Sequence, residues 1–258
     1  MNKYFRCVLI CILSLIVLFS SFKVIEHLVI GNREKKAIEE VFEQVVSKES
    51  VPDVPQEEVE DKDKDKVAVV VKPPLSDVNI EKLFKLNSDS IGWLSIPNTS
   101  INYPVMHTPY DNEKYLHKDF YKKSSRSGVP FLDGWQTLES DNIFIYGHNM
   151  KNGTMFWSLK KFRNASFLRK NKKIYFKTIE GVSEYHVYAV IETSDKSEWY
   201  AYHGEITEET FKKMMKYIDK NARVKSDASV NFGDKLLTLS TCGSSDNKRL
   251  LVIAVKKG

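Results

Sequence analysis

One cysteine in the carboxy-terminal part of the sequence has the setting of a nucleophile. Cys242 follows the leucine-rich run 236–241 and precedes the small residues 243–245. A thiol at the end of a buried strand, followed by a flexible turn, is held in place yet accessible to a substrate. Cys7 and Cys11 lie in a separate apolar run, which leaves Cys242 as an unpaired thiol. A reactive nucleophile and an inert buried thiol are the two interpretations.

Two further residues could complete a catalytic set with this thiol. A nucleophilic cysteine needs a histidine or another cationic neighbour that favours the thiolate. His148 fits this need, because it follows an apolar strand-like run and Gly147 at a second strand end. Arg249 begins the last apolar run, and a tight loop would return its guanidinium towards Cys242. Arginine stays protonated, so it would hold an oxyanion or a peptide carbonyl; a solvated strand-end arginine is the alternative.

The elements that must position these residues are mostly β-strands. Short runs rich in β-branched and aromatic residues predict eight of them: residues 91–96, 101–106, 129–132, 142–146, 173–179, 184–192, 235–241 and 249–255. Helical spacing of apolar residues predicts helices over residues 80–86, 156–162 and 206–221, the last with Thr207 as its N-cap. About eight short strands with few helices predict a mostly β fold, a closed or nearly closed barrel.

The amino terminus has the pattern of a membrane anchor. Residues 7–22 carry no charge, and Lys3 and Arg6 precede them. The run is short for a span of about 20 residues, but apolar residues continue beyond Lys23, whose long side chain can snorkel. A cleaved signal peptide is the alternative, although no small-x-small cleavage site follows. The basic residues ahead of the run predict a cytoplasmic amino terminus and an extracellular remainder.

Composition divides the chain into three parts. Residues 1–32 are predicted to form the cytoplasmic tip and the anchor. Residues 33–75 hold an amphipathic helix over 34–48, which either forms a stalk or packs on the domain, and then a charged, proline-containing linker. Residues 76–258 form the catalytic domain. The net charge of +5 is spread along the chain, so nucleic-acid binding is not expected.

Several motifs resemble those of sortases, which are cysteine transpeptidases. The segment TLSTC at 238–242 resembles the TLxTC signature of the family, and Arg249 stands where the family has its arginine. YGHN at 146–149 resembles the histidine segment, and IGWLSIP at 91–97 with INYPV at 101–105 is similar to the opening strands. The helix 206–221 and the segment DNEKYL at 111–116 resemble class B members in particular.

The resemblance implies a fold and a reaction. The fold would be an eight-stranded sortase-type β-barrel with amino-terminal helices and a long helix between late strands. Cys242 would cleave a sorting motif near the carboxy terminus of an exported protein after threonine, leaving a thioester. His148 would protonate the leaving amine and then deprotonate an incoming amine of the cell-wall peptide or its lipid-linked precursor. Arg249 would hold the substrate backbone and the oxyanion, and neither a metal nor a cofactor is expected.

The resemblance also suggests residues that contact the substrate, for which fold packing or surface exposure is the alternative. They are Asn112, Leu116, Ser240, Thr241, Trp199 and Tyr200. An extended peptide needs a groove with apolar walls and some backbone hydrogen bonds. Three other functions use much of the same sequence evidence: a hydrolytic cysteine peptidase, a pilin polymerase that joins proteins through lysine, and a surface-binding module without enzymatic activity.

Overall fold

The computed structural model describes residues 3–46, 75–243 and 247–257. Ser76, Cys242 and residues 3–11 and 23–30 are described by their backbone. The predicted linker over residues 49–74 lies outside the described residues. The helices are α1 (Lys3–Val45), α2 (Ile80–Leu86), α3 (Ala165–Lys170) and α4 (Glu208–Asn221), with 3₁₀ helices at Leu75–Asp77, Lys114–Leu116, Phe156–Arg163 and Glu198–Ala201.

Within the described residues, nine strands form a single sheet. They are β1 (Ser90–Ser95), β2 (Asn102–Met106), β3 (Phe131–Leu132), β4 (Asn142–Tyr146), β5 (Lys173–Thr178), β6 (Gly181–Ser194), β7 (Ala222–Lys225), β8 (Leu236–Cys242) and β9 (Lys248–Lys256). Their order is β5-β1-β2-β3-β4-β8-β9-β6-β7, and β5 also pairs with β6. That second pairing closes eight strands into a barrel and leaves β7 as an extra strand outside the ring. The predicted eight-stranded barrel is confirmed.

The strands β4, β8 and β9 are buried on both faces. Leu237 and Leu239 of β8 point into the main core inside the barrel. Leu236 of the same strand belongs to a second core, which lies between the sheet and α4 and includes Met214 and Ile218. Two covered faces explain why β8 and β9 read as nearly continuous apolar runs rather than as an alternating pattern. The end of β8 is therefore held on both sides.

The long helix between late strands is confirmed as α4. It begins after Thr207, whose side chain accepts a hydrogen bond from the backbone nitrogen of Thr210, as an N-cap should. Glu208 and Glu209 lie in the first turn, where they complement the helix dipole. Met214 and Ile218 form the buried stripe, one turn apart. The helix thus covers the outer face of the strands that end at Cys242.

The sequence analysis predicts neither β7 nor α3, nor the 3₁₀ helices Leu75–Asp77, Lys114–Leu116 and Glu198–Ala201, and the type of one predicted helix differs. β7 follows α4 without a loop, and its four residues include only one large apolar side chain, Val224. α3 is a six-residue helix capped by Asn164. The segment predicted as a helix over 156–162 is a 3₁₀ helix, Phe156–Arg163. Elements this short carry too few apolar positions for a periodic pattern to emerge.

The amphipathic segment predicted over residues 34–48 packs on the domain. Together with the segment before it, this segment forms one continuous helix, α1, of 43 residues. Ile38, Val41 and Val45 are buried in the main core. The ring of Phe42 lies 5.1 Å from that of Trp93, so this part of the helix covers the barrel near β1.

The amino-terminal half of α1 holds the apolar run predicted to be a membrane anchor. Its side chains from Ile12 to Phe22 are exposed. No helix among the described residues has both the length and the apolar character needed to cross a membrane.

An ion-pair cluster ties the long segment between β2 and β3 to the start of β1. The carboxylate of Asp89 accepts hydrogen bonds from the Lys114 amine and the Tyr115 hydroxyl, each at 2.8 Å. The amine of Lys122 lies 3.3 Å from the same oxygen. Burial on its own would raise the pKa of Asp89, but the bonds from Lys114, Tyr115 and Lys122 outweigh it and hold the pKa below its ordinary value. This cluster fixes the chain next to Leu116.

We expect Asp89→Asn to lower the free energy of unfolding by about 1–3 kcal/mol near neutral pH, because charge-assisted hydrogen bonds are lost. The folded-state pKa of Asp89 lies below its unfolded value, so its stabilisation is present above the unfolded pKa. That stabilisation is lost as the pH falls through the folded pKa. Denaturant unfolding of both chains across the acid range measures this difference. If the difference in free energy of unfolding between the two chains stays constant at low pH, the stabilisation does not come from the Asp89 charge.

Candidate active site

The strand register brings the three predicted catalytic residues to one end of the barrel. β4 and β8 run parallel, with Tyr146 paired with Ser240. His148 and Cys242 each lie two residues beyond that pair. β9 runs antiparallel to β8 and places Arg249 directly opposite Cys242. Neighbouring strands are about 4.8 Å apart, so the register brings the backbones of all three residues to the same end of the barrel.

The end of β8 is joined to the start of β9 by a backbone hydrogen bond beyond Cys242. The backbone nitrogen of Gly243 donates to the carbonyl of Lys248 at 2.7 Å. Thr241, just before the cysteine, is only 3% exposed. Its hydroxyl is buried without a hydrogen-bond partner among the described residues. The backbone at Cys242 is therefore fixed on both sides of the thiol position.

His148 is held by the segment that precedes β3. Its Nε2 lies 3.0 Å from the carbonyl oxygen of Leu116. A carbonyl oxygen can only accept, so Nε2 carries the hydrogen and Nδ1 is the nitrogen left to exchange a proton. Burial lowers the pKa of His148, and the charge of His117, whose ring lies 6.0 Å away, lowers it further. The Leu116 carbonyl and the Glu34 carboxylate act in the opposite direction without overcoming these effects.

Gly147 allows His148 to stand this close to the barrel. A Cβ atom on Gly147 would lie 2.9 Å from the ring of Phe156, which is fully buried. The backbone nitrogen of Gly147 donates to the carbonyl of Ser240 at 3.2 Å, and that of Phe156 donates to the carbonyl of His148 at 2.9 Å. A side chain at this position would push the histidine away from the strand that ends at Cys242.

Arg249 presents a guanidinium at the barrel end. Its Nη1 donates to the carbonyl of Lys248 at 3.0 Å, and its Nη2 lies 4.0 Å from a carboxylate oxygen of Asp195. The side chain is 25% exposed, so part of the planar group faces solvent. An arginine in this position can donate to a developing oxyanion, because its donors are fixed in one plane.

Comparison with known proteins decides the family. A family model described as the sortase domain matches residues 94–257, which include all three residues at the barrel end. The chain belongs to the sortase family. Sortase B of Listeria monocytogenes is 35% identical over 168 residues, which are 63% of this chain and 66% of that protein. The match therefore spans slightly less than two thirds of the Listeria protein.

Solved structures agree with this assignment and place the sortase among class B members. Clostridium perfringens sortase B is 32% identical, with a TM-score of 0.64 over 69% of this chain and 99% of that one. A Staphylococcus aureus sortase B–substrate complex is 30% identical, with a TM-score of 0.65 over 69% of this chain and 84% of that one. The predicted resemblance to class B sortases is confirmed.

Three of the residues suggested as substrate contacts lie around the catalytic set. The carbonyl of Leu116 binds His148. The hydroxyl of Ser240, which is buried in β8, lies 2.8 Å from the hydroxyl of Tyr200. The ring of Tyr200 packs 6.4 Å from that of Tyr146. In this sortase Leu116 therefore lies against His148, and Tyr200 lies against Ser240 and Tyr146.

Two of the suggested contacts have other roles in the fold. Trp199 is completely buried, and its indole nitrogen donates to the hydroxyl of Thr238 at 3.1 Å. Its ring therefore packs in the core under α4 and presents no surface to a substrate. The side-chain oxygen of Asn112 accepts a hydrogen bond from the backbone nitrogen of Gly134 at 2.7 Å, which joins two loops. Both positions match the alternative of fold packing, and a substrate role for either stays untested.

Replacing Trp199 and Tyr200 separately with phenylalanine should distinguish packing from substrate contact. Trp199→Phe should lower the free energy of unfolding by about 2–3 kcal/mol, through a lost hydrogen bond and a cavity, with KM unchanged. Tyr200→Phe should raise KM for a peptide substrate roughly two- to tenfold, the equivalent of one hydrogen bond. Thermal unfolding and steady-state kinetics measure both. A raised KM in Trp199→Phe would contradict the assignment to the core.

Tyr146 lies beside the site, although the sequence predicts it only as the end of a strand and the first residue of the histidine segment. Its hydroxyl donates to the carboxylate of Asp133 at 2.9 Å. Burial, with the Asp133 charge, raises its pKa well above the ordinary value, so the hydroxyl stays protonated. Its position two residues before His148, at the last residue of a strand, is the signal that could have identified it.

Proposed function

We propose that this sortase cleaves a sorting motif near the carboxy terminus of exported proteins after threonine and transfers the acyl part to an amine. The strand register carries this proposal, because it places Cys242, His148 and Arg249 together. The set combines a nucleophile, a proton carrier and an oxyanion donor, which is what acyl transfer requires.

In the first step, the Cys242 thiolate attacks the threonine carbonyl carbon, and a carbon–sulfur bond forms. The carbonyl oxygen takes up negative charge, which the Arg249 guanidinium stabilises. As the tetrahedral intermediate collapses, the carbon–nitrogen bond breaks and protonated His148 gives its proton to the leaving amine. A thioester on Cys242 and a neutral His148 remain.

In the second step, a primary amine attacks the thioester carbonyl. His148 takes the proton from the attacking nitrogen, and the carbon–sulfur bond breaks to restore the thiolate. The lowered pKa of His148 suits it to act as a base near neutral pH. Water as the attacking group would give hydrolysis from the same thioester.

A Staphylococcus aureus sortase B has been solved in complex with its substrate, and the likeness to it supports a substrate of the same kind for this chain. We propose that the peptide lies along Leu116, Ser240 and Tyr200. We further propose that the acceptor is an amine of the cell-wall peptide or its precursor. Thr241 would assist Arg249, since its buried hydroxyl can donate to an oxyanion.

We also propose that the catalytic domain, residues 76–258, works outside the cell, with residues 1–32 as its anchor and 33–75 as the connection. This location rests on the uncharged run 7–22 and on the family's substrates. Fractionation of cells that express the whole chain and a chain lacking residues 1–32 tests it. Recovery of both in the same soluble fraction would contradict the anchor.

The test of the proposed activity uses the full-length chain, a library of sorting peptides and a set of amines that includes triglycine. Mass spectrometry should find a peptide thioester on Cys242 and, when an amine is added, an amide-linked product. Release of free acid alone would instead show a hydrolytic peptidase. Preference for a protein lysine would show a pilin-type polymerase, and no acyl-enzyme with any peptide would favour a binding module.

A further inference from the structure

One turn of α1 contacts two segments of the domain, one that continues from Leu116 and one that follows His148 in the chain. Glu34 binds the segment 125–127, which lies a few residues after Leu116 and His117. Gly31, one turn earlier, faces Asn152, which lies four residues after His148. A helix that precedes the catalytic domain in the chain thus reaches the residues around the catalytic histidine.

The Glu34 carboxylate is engaged by three donors. The hydroxyl of Ser125 donates to it at 2.7 Å, that of Ser127 donates to its second oxygen, and the backbone nitrogen of Arg126 donates at 3.2 Å. Ser125 and Ser127 are buried. The same segment is also bonded to the chain next to Leu116, because the backbone nitrogen of Ser125 donates to the carbonyl of His117 at 3.0 Å.

The second contact is a close approach of backbone to side chain. A Cβ atom on Gly31 would lie 2.5 Å from the side-chain nitrogen of Asn152, so a larger residue at position 31 would require the Asn152 side chain to move. The side-chain oxygen of Asn152 accepts from the hydroxyl of Thr154 at 2.7 Å. Asn149 and Met155 close this loop with a β-bridge directly after His148.

We propose that Glu34 is a positioning residue for His148: it holds the 115–128 segment, and through the Leu116 carbonyl it sets the ring of the catalytic histidine. The inference rests on the proposed function, since it concerns the same histidine. Glu34 does not touch the substrate. Its carboxylate fixes the segment that accepts the Nε2 hydrogen, so that Nδ1 keeps one orientation.

The charged and titratable groups around His148 come from four elements. Glu34 on α1 and His117 on the segment after the 3₁₀ helix Lys114–Leu116 act on its pKa, and the strand register brings the backbones of Cys242 on β8 and Arg249 on β9 to the same end of the barrel. Glu34 raises the pKa of His148, whereas His117 lowers it. Glu34 therefore acts on the histidine both through the hydrogen-bonded segment and through its charge.

The test compares Glu34→Gln with Glu40→Gln in the full-length chain. Glu40 lies on the exposed side of the same helix and serves as the matched control. Glu34→Gln should lower kcat for thioester formation roughly tenfold, which corresponds to about 1.4 kcal/mol of barrier, with little change in KM. The NMR titration of the His148 ring should give a lower pKa than in the unaltered chain. Glu40→Gln should leave both quantities unchanged.

A second variant separates the hydrogen bonds from the charge. Ser127→Ala keeps the Glu34 carboxylate and removes one of its donors, so kcat should fall while the pKa of His148 moves less than in Glu34→Gln. This variant also provides the test if Glu34→Gln fails to fold. The inference is overturned if kcat and the His148 pKa in these variants equal those of Glu40→Gln. An unaltered chain that forms no thioester would refute the proposed function instead, and the His148 titration would still report on Glu34.

Discussion

Cys242→Ala is expected to abolish thioester formation, with kcat/KM falling below about one thousandth of that of the unaltered chain. The reason is that the proposed acyl-enzyme is a thioester, which requires the sulfur of Cys242. Arg249 and the backbone would still hold the peptide, so its dissociation constant should change little. Rapid-quench mass spectrometry measures the thioester, and fluorescence anisotropy measures the binding.

Cys7→Ala and Cys11→Ala serve as controls, because both cysteines lie in α1, far along the chain from the barrel end. Neither change should alter the rate. Thermal unfolding of Cys242→Ala should match that of the unaltered chain, which excludes loss of the fold as the cause. Acyl transfer that persists in Cys242→Ala would show that another nucleophile does the chemistry.

Arg249→Lys is expected to lower kcat by about 10²–10³, as does the loss of one oxyanion donor in other acyl-transfer enzymes. Lysine keeps the positive charge but presents a single ammonium instead of a planar fork of donors. The Nη1 bond to the Lys248 carbonyl shows that the fork already holds a fixed orientation. The second lost contact is the approach to Asp195. Single-turnover kinetics with a sorting peptide measures the effect on acylation.

Lys248→Ala is the matched control for this change. Lys248 is the exposed neighbour of Arg249 at the start of β9, and its backbone contacts survive the substitution. Its removal should change kcat by less than about twofold. A rate that is retained in Arg249→Lys but reduced in Lys248→Ala would mean that general positive charge, rather than a directed donor, assists the reaction.

The sequence predicts where Cys242, His148 and Arg249 lie in the fold, because the three residues are tied to strand ends. An apolar run that ends in Thr241 and Cys242 marks both the strand and its exit, and the same holds for His148 after β4. Once β4 and β8 pair in parallel, equal distances from the strand ends bring the residues together. The short spacing from Cys242 to Arg249 predicts a short turn between the last two strands.

Contacts between elements distant in the chain could not be predicted in this way. From the sequence, Trp199 is recognisable only as an aromatic residue before a long helix. The packing of α4 on the sheet shows that it is buried. Glu34 reads as one of several charged residues on an amphipathic helix. Its buried partners Ser125 and Ser127 lie about ninety residues further along the chain. No local pattern in the sequence indicates a contact between residues so far apart in the chain.

The parallel pairing of β4 with β8 has a consequence for the order of events in folding. The two strands come together across more than ninety residues, as the bond between Asn142 and Thr238 shows. Closing a loop of that length costs chain entropy before any contact compensates, so pairings of this kind form slowly. The histidine and the cysteine therefore meet only after the carboxy-terminal strands have been synthesised and docked. Until that moment the thiol lacks its activating partner, and a nascent chain would be a poor nucleophile.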